Sequence, residues 1–346
     1  MNQKEKTSYK NSHIDEFELI NEIKSLTKTK HKENIKGIDD DAAISKYGDK
    51  YLAISTDIFT EGIHFDLTYT PLKHLGYKCV VANISDITAM NVLPKNILIS
   101  LAVSSKINKE HVMDFYKGVF LACENYNLDL IGGDTSSSLT GFTVSVTIFG
   151  DEKNKNQLVY RNTAKEGDII FVTGDFGAAY LGLQILEREK KIFLEHPGSQ
   201  PNLNNYDYVV GRQLKPEART DIVDFFKKNK ITPTSMIDVS DGLSSEILHI
   251  CKSSNVGCDI HLKKIPIHEE SIKVSQELGI DEITCALNGG EDYELVFTAN
   301  PKHLNILLNQ GFSSIGVIKN KKDGCNMILE NNDKTELKSM GWSNKL

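Results

Sequence analysis

The sequence predicts an α/β (α+β) chain built as two units, and three observations point that way. Strand-length apolar runs alternate with helix-periodic stretches along the chain. Several strand-like runs follow one another as hairpin-like pairs, so the sheets are not purely parallel. The 346 residues also suggest two cores, at roughly 100–200 residues per domain.

The elements read in order as follows. Residues 1–12 form a flexible polar tail. Ile14, Phe17, Ile20, Ile23 and Leu26 recur at helical spacing, with Ser12 and Asp15 resembling a capping box. Lys28 to Lys32 is a solvated basic end, followed by the acidic run Asp39-Asp40-Asp41. Tyr51 to Ser55 is a strand running into a Thr56-Asp57 turn, and Leu75 to Met90 is a helix. A strand at Ile97 to Val103 and a helix at Lys109 to Tyr126 come next. A short strand, Leu128 to Ile131, ends in a Gly132-Gly133-Asp134 loop, and Thr143 to Phe149 is another strand. The charged, Asn-rich stretch 151–166 joins the first unit, 13–150, to the second, 151–346. The second unit opens with a strand at Asp168 to Thr173 and a helix from about Ala178. A proline-bearing loop at 195–206, a helix around 217–229 and a helix at Leu243 to Ser253 follow. The chain then repeats the scheme, with strands at Tyr293 to Thr298 and Ile315 to Lys319 around a helix at Lys302 to Asn309.

Composition excludes several classes. Forty basic against 47 acidic residues give a net charge of −7, and the isoelectric point is near 5.8. A nucleic-acid or anionic-membrane binder needs a basic face, so neither partner is expected. Mean hydropathy is −0.30, and no apolar run approaches the roughly 20 residues of a membrane span. Met1 to Lys10 lacks the apolar core of a secretory leader. The six cysteines contain no CxxC pair. They read as free thiols in a reducing, cytoplasmic setting, with structural zinc disfavoured.

Chemistry concentrates in acidic residues flanked by Gly, Ser or Thr. These are Asp39–Asp41, Ser55-Thr56-Asp57, Asp86, Gly133-Asp134, Asp238-Val239-Ser240-Asp241 and Gly290-Glu291-Asp292. Any one alone reads as a helix cap or a solvated turn. Six together, each after an apolar stretch, are hard to explain as caps; periodicity does not show that they converge, but carboxylates that did so would repel unless cations lay between them. Hard oxygen donors suit Mg²⁺ or Ca²⁺ and not zinc, and adjacent glycines let phosphate approach the backbone. A Mg²⁺–nucleotide site is the natural reading. It is not a P-loop or dinucleotide site, because neither G-x-x-x-x-G-K-[ST] nor G-x-G-x-x-G occurs. Asp175-Phe176-Gly177 spells a kinase motif without its companion motifs and reads as coincidence.

GIDDDAAI, LAISTDIFTEGIHF, GYKCVVANISDITAMNVLPK, LIGGDTSSS, DVSDGLSSEI and LNGGEDYELVF occur in this order from about residue 35 onward. Together they resemble the thiamine-monophosphate kinase family, within the superfamily of aminoimidazole ribonucleotide synthetase. The resemblance implies a two-domain fold whose N-terminal domain forms a β-barrel-like interface in a homodimer. It implies ATP-dependent phosphorylation of thiamine monophosphate to thiamine diphosphate, with several Mg²⁺ ions and no protein base. Asp41, Ser55, Thr56, Asp57, Asp86, Asp134, Asp238 and Asp241 match metal-binding positions. Tyr116, Gly133, Asp134, Arg161 and Ser240 match ATP-contacting positions. His64, Glu291 and Trp342 match substrate positions. Alone, His64 would read as an ordinary imidazole, Arg161 as a surface charge and Tyr116 as core.

One departure stands out: the family pattern G-I-G-D-D reads Gly37-Ile38-Asp39-Asp40-Asp41 here. If that position requires a positive φ, Asp39 carries a backbone cost. It also adds charge beside the metals, so an altered Mg²⁺ dependence is expected. The alternatives are another ATP-using enzyme of the superfamily, a non-catalytic module binding the same ligands, and a structural Ca²⁺-stabilised protein. A selenophosphate synthetase would carry a reactive cysteine early in the chain, and the first 78 residues have none.

Overall fold

The computed structural model describes residues 16–340. The expected tail, the capping pair Ser12 and Asp15, and Trp342 lie outside the described residues.

The first part of the chain carries α1 (Glu16–Leu26), β1 (Asn34–Lys36), β2 (Ala43–Tyr47), β3 (Lys50–Thr60), α2 (Leu72–Ala89), β4 (Pro94–Val103), α3 (Lys109–Tyr126), β5 (Asp129–Ser137) and β6 (Thr143–Glu152). Its strands form a six-stranded sheet in the order β1-β2-β3-β6-β4-β5, with β4 and β5 parallel and the other pairs antiparallel. Alternation along β6 buries Val144, Val146 and Ile148 against the helices and leaves Thr143, Ser145 and Thr147 partly exposed. The sheet therefore has one covered and one open face.

α3 starts where Asn108 accepts from the His111 backbone N–H at 2.9 Å while His111 Nδ1 accepts from the Asn108 N–H. It ends on Asn127 in the left-handed conformation. α2 is buried along most of its length, wedged between α3 and the second part of the chain. The two helices cross on glycines. A Cβ at Gly76 would lie 2.1 Å from the Phe115 carbonyl oxygen, and one at Gly118 would lie 1.8 Å from that of Lys73.

The second part carries β7 (Ile169–Val172), α4 (Ala178–Glu195), α5 (Asp207–Leu214), α6 (Asp221–Asn229), β8 (Ser235–Asp238), α7 (Leu243–Ser254), β9 (Gly257–His261), α8 (Glu269–Leu278), α9 (Glu282–Asn288), β10 (Leu295–Ala299), α10 (Leu304–Asn309), β11 (Ser313–Lys319), β12 (Cys325–Ile328) and β13 (Lys334–Glu336). A seven-stranded sheet runs β13-β12-β9-β11-β7-β10-β8. Only β9 and β12 pair in parallel. Phe171, Phe226, Phe297 and Phe312 pack into one aromatic cluster on this sheet.

Two expectations need correction. Ser55-Thr56-Asp57 is not a turn after a strand, because β3 runs on to Thr60 and pairs with β6 throughout. Gly132-Gly133-Asp134 is not a loop either. It lies inside β5, paired with Leu98 to Ser100 of β4. β5 is an exposed edge strand, so apolar alternation does not mark it.

Candidate active site

β3 places the first acids by strand alternation. Ser55 and Asp57 share a face with buried Ala53 and Phe59, toward α2. The Ser55 hydroxyl donates to Asp86 Oδ2 of α2 at 2.6 Å. Thr56 points the other way, and its hydroxyl meets the Val146 carbonyl at 3.1 Å and Thr147 Oγ1 at 2.9 Å. The structure thus brings Ser55 and Asp57 toward the acids and leaves the Thr56 side chain outside.

Asp41 arrives from the β1–β2 connection and Asp238 from the end of β8. Carboxylate oxygens of Asp41, Asp86 and Asp238 lie within 4.8 Å of one another. Burial raises the carboxyls of Asp41, Asp57, Asp86 and Asp238 above their ordinary value, and repulsion from neighbouring aspartates adds to this at Asp41, Asp86 and Asp238. Arg161 opposes the shift at Asp41, donating from Nη2 to Oδ1 at 2.6 Å. Asp241 follows Asp238 and is pushed up to about 6 by burial. Glu246 of α7, fully buried behind it, is also raised. One guanidinium among this many acids leaves the site short of positive charge. Asp41 Oδ2 is buried with no hydrogen-bond partner among the described residues. An all-oxygen, anionic donor set with an unpartnered oxygen fits Mg²⁺.

The loop 289–293 closes over this cluster. The Glu291 N–H donates to the Ser240 carbonyl at 2.7 Å, and the Tyr293 N–H to that of Val239 at 3.0 Å. A Cβ at Gly290, with φ of 71°, would meet the Ser240 oxygen at 2.5 Å. Glu291 and Tyr293 also hold positive φ, of 58° and 51°, which non-glycine residues adopt at a cost. Glu291 reaches Lys78 Nζ of α2 at 2.9 Å and accepts from Gln213 Nε2 at 2.9 Å. His64 lies near the same pair. Burial lowers its pKa, Glu291 opposes that, and its Nδ1 accepts from the Thr60 N–H at 3.1 Å. The imidazole is therefore neutral, with its proton on Nε2.

Tyr116, Gly133 and Asp134 form a separate group. With Met113 and Phe120 of α3 and Ile131 of β5 they line an open groove. A Cβ at Gly133 would strike the Ile99 carbonyl oxygen at 1.8 Å, so only glycine fits. Asp57, Val146, Ile99 and Gly133 form one row across β3, β6, β4 and β5. Three strand spacings therefore separate the groove from Asp57, about 14 Å.

Lys78 and Gln213 were not legible as site residues. Lys78 had one signal, a lysine interrupting the apolar run of a buried helix. Gln213 had none. Asp39 takes φ of 93° and pairs with Lys24, so the position does require the left-handed region.

Residues 39–151 match the family described as AIR synthase related protein, N-terminal domain. Thiamine-monophosphate kinase of Buchnera aphidicola subsp. Schizaphis graminum is 39% identical over 337 residues, covering 95% of this chain and 98% of that protein. The Bacillus subtilis enzyme of the same name is 35% identical, covering 92% of this chain and 98% of its own. A solved structure described as AaThiL complexed with AMPPCP and TMP superposes with a TM-score of 0.79 at 32% identity, covering 95% of this chain and 97% of the other. With its acidic motifs in family order and identity of this level along nearly its full length, the chain belongs to the thiamine-monophosphate kinase family.

Proposed function

We propose that this protein transfers the γ-phosphoryl group of ATP to the phosphate of thiamine monophosphate, giving ADP and thiamine diphosphate. The observation that carries the reading is the convergence of Asp41, Asp86 and Asp238 beside Asp57. Relatives named thiamine-monophosphate kinase, and a related structure holding AMPPCP and TMP, support the substrate pair.

Asp41, Asp57, Asp86, Asp238 and Asp241 would hold Mg²⁺, with Ser55 fixing the orientation of Asp86. Bound there, Mg²⁺ neutralises phosphate charge so that an anionic acceptor can approach. The acceptor phosphate is ionised near neutral pH, so the chain needs no general base. Its own task is alignment. His64 Nε2–H is free to donate to the acceptor phosphate, and Glu291 offers negative charge to a cationic thiazolium. Arg161, held against Asp41, serves the nucleotide phosphates together with Ser240. Tyr116, Gly133 and Asp134 serve the nucleotide from the α3–β5 groove, with Asp134 adding a metal ligand.

In this reading residues 13–150 bind nucleotide and metal and dimerise, and residues 151–346 complete the site. The open sheet face supports a homodimer, since Ile58 there is 60% exposed and Leu139, after β5, is fully exposed. The six free thiols support a reducing compartment such as the cytoplasm.

The test is direct. Purified protein is given ATP, Mg²⁺ and either thiamine monophosphate or thiamine, and products are separated by chromatography. Thiamine diphosphate from thiamine monophosphate alone is expected. Saturable binding of both ligands without product would replace the enzyme with a binding module.

A further inference from the structure

Three cysteines far apart in sequence meet on the second sheet. Cys258 of β9 and Cys325 of β12 are direct partners in the parallel ladder, so their side chains share a face. Cys251, near the end of α7, packs in the same apolar cluster. All three sulfurs lie within 4.8 Å of one another, and no carboxylate or imidazole among the described residues belongs to the group. Cys251 and Cys258 are buried, while Cys325 is half-buried at the rim.

A single buried cysteine behaves as a small apolar residue. Three sulfurs at this spacing are also a donor set. An ion about 2.3 Å from each of three thiolates sets the sulfurs roughly 4 Å apart. That separation lies within the 4.8 Å limit, and the sheet ladder already fixes two of the three positions. Donor chemistry then selects the ion, because sulfur-only sites favour soft, thiophilic cations over Mg²⁺.

We propose that Cys251, Cys258 and Cys325 form a binding site for a thiophilic d¹⁰ cation, of the Zn²⁺ or Cu⁺ class, separate from the acidic cluster. Apolar side chains around Cys251 and Cys258 exclude water from the inner side. The half-buried Cys325 marks the entry and leaves room for a solvent ligand. The site also ties β9 and β12 to α7, the helix that begins beside Asp241.

The test uses the reduced full-length chain, freed of excess reductant and titrated with Cd²⁺. The expected result is an ultraviolet thiolate-to-metal charge-transfer band that saturates at one ion per chain, with a raised melting temperature. Cys325→Ser loses the band, and Cys251→Ala does the same should the first variant fold poorly. Cys123→Ser, on α3, keeps the band, as does Asp86→Asn, because oxygen ligands give no such band. Displacement of Cd²⁺ by Zn²⁺ or by Cu⁺ then identifies the preferred ion. No saturating band in the wild type, or a band that survives in Cys325→Ser, overturns the proposal.

Discussion

Lys78 on α2 lies 2.9 Å from Glu291 on the connection between α9 and β10. The Lys78 side chain is only 7% exposed, so the charge has little water to fall back on. Removing Glu291 would leave that ammonium uncompensated, at a cost of about 3 kcal/mol, whereas removing Lys78 leaves a carboxylate that is 31% exposed and still held by Gln213, a smaller loss. Lys78→Met is expected to lower the melting temperature and raise the KM for thiamine monophosphate roughly tenfold, while the KM for ATP stays near wild type. An equal rise in both KM values would show that the pair supports the whole cleft and not the acceptor subsite.

Asp86→Asn separates stability from catalysis. The amide removes one of several mutually repelling buried groups, so the apoprotein should melt higher than wild type without Mg²⁺. Added Mg²⁺ should stabilise the variant much less than the wild type, and kcat should fall by roughly 100-fold or more. Near wild-type turnover in Asp86→Asn would end the metal-assisted reading.

Asp39→Gly tests the one departure from the family pattern. The aspartate holds φ of 93°, a conformation that costs about 1–3 kcal/mol outside glycine. Glycine relieves that strain and removes a charge near the site, at the loss of the Lys24 pair. Half-saturation is expected at lower Mg²⁺ in an activity titration. A curve superimposable on wild type would mean that Asp39 is spent on Lys24 alone.

Acid stability should respond to Glu217. This carboxylate accepts from Tyr77 Oη at 2.7 Å, Tyr126 Oη at 2.5 Å and Lys215 Nζ at 2.7 Å, tying α2 and α3 to the segment before α6. Burial alone would raise its pKa, but these bonds outweigh burial and hold it below the ordinary 4.5. The folded carboxyl is therefore the stronger acid. Its contribution is present above pH 4.5 and disappears as the pH falls through the folded value. Glu217→Gln should melt lower than wild type at pH 7, with the gap narrowing as the pH falls from 4.5 through the lower folded value. A gap independent of pH would assign the effect to packing.

Legibility followed local signals. The helix expected at Lys109 to Tyr126 forms over those residues because Asn108 and Asn127 mark both ends. The helix expected from 217 begins only at Asp221, since Glu217 and Ala218 are engaged with Tyr77 and Tyr126. β9, α8 and α9 carry no strong local signal. The strand has only five residues, and the two helices are short. Acidic motifs were visible one by one, but nothing in their spacing placed Asp41, Asp86 and Asp238 within 4.8 Å of one another. The cysteines had no motif at all, because a metal-like spacing arises there from strand pairing and not from sequence proximity.

Lys78 and Asp86 ride on the same helix, eight residues apart. At 1.5 Å per residue they stand about 12 Å apart along its axis. On the proposed assignment of the site, α2 is a ruler between the acceptor end and the metal end, and the glycine crossing with α3 clamps it in place. Inserting one alanine between Ile84 and Ser85 would turn one end by about 100° relative to the other while adding only 1.5 Å. Each end could still bind its own ligand, but the two reactants would no longer be in line.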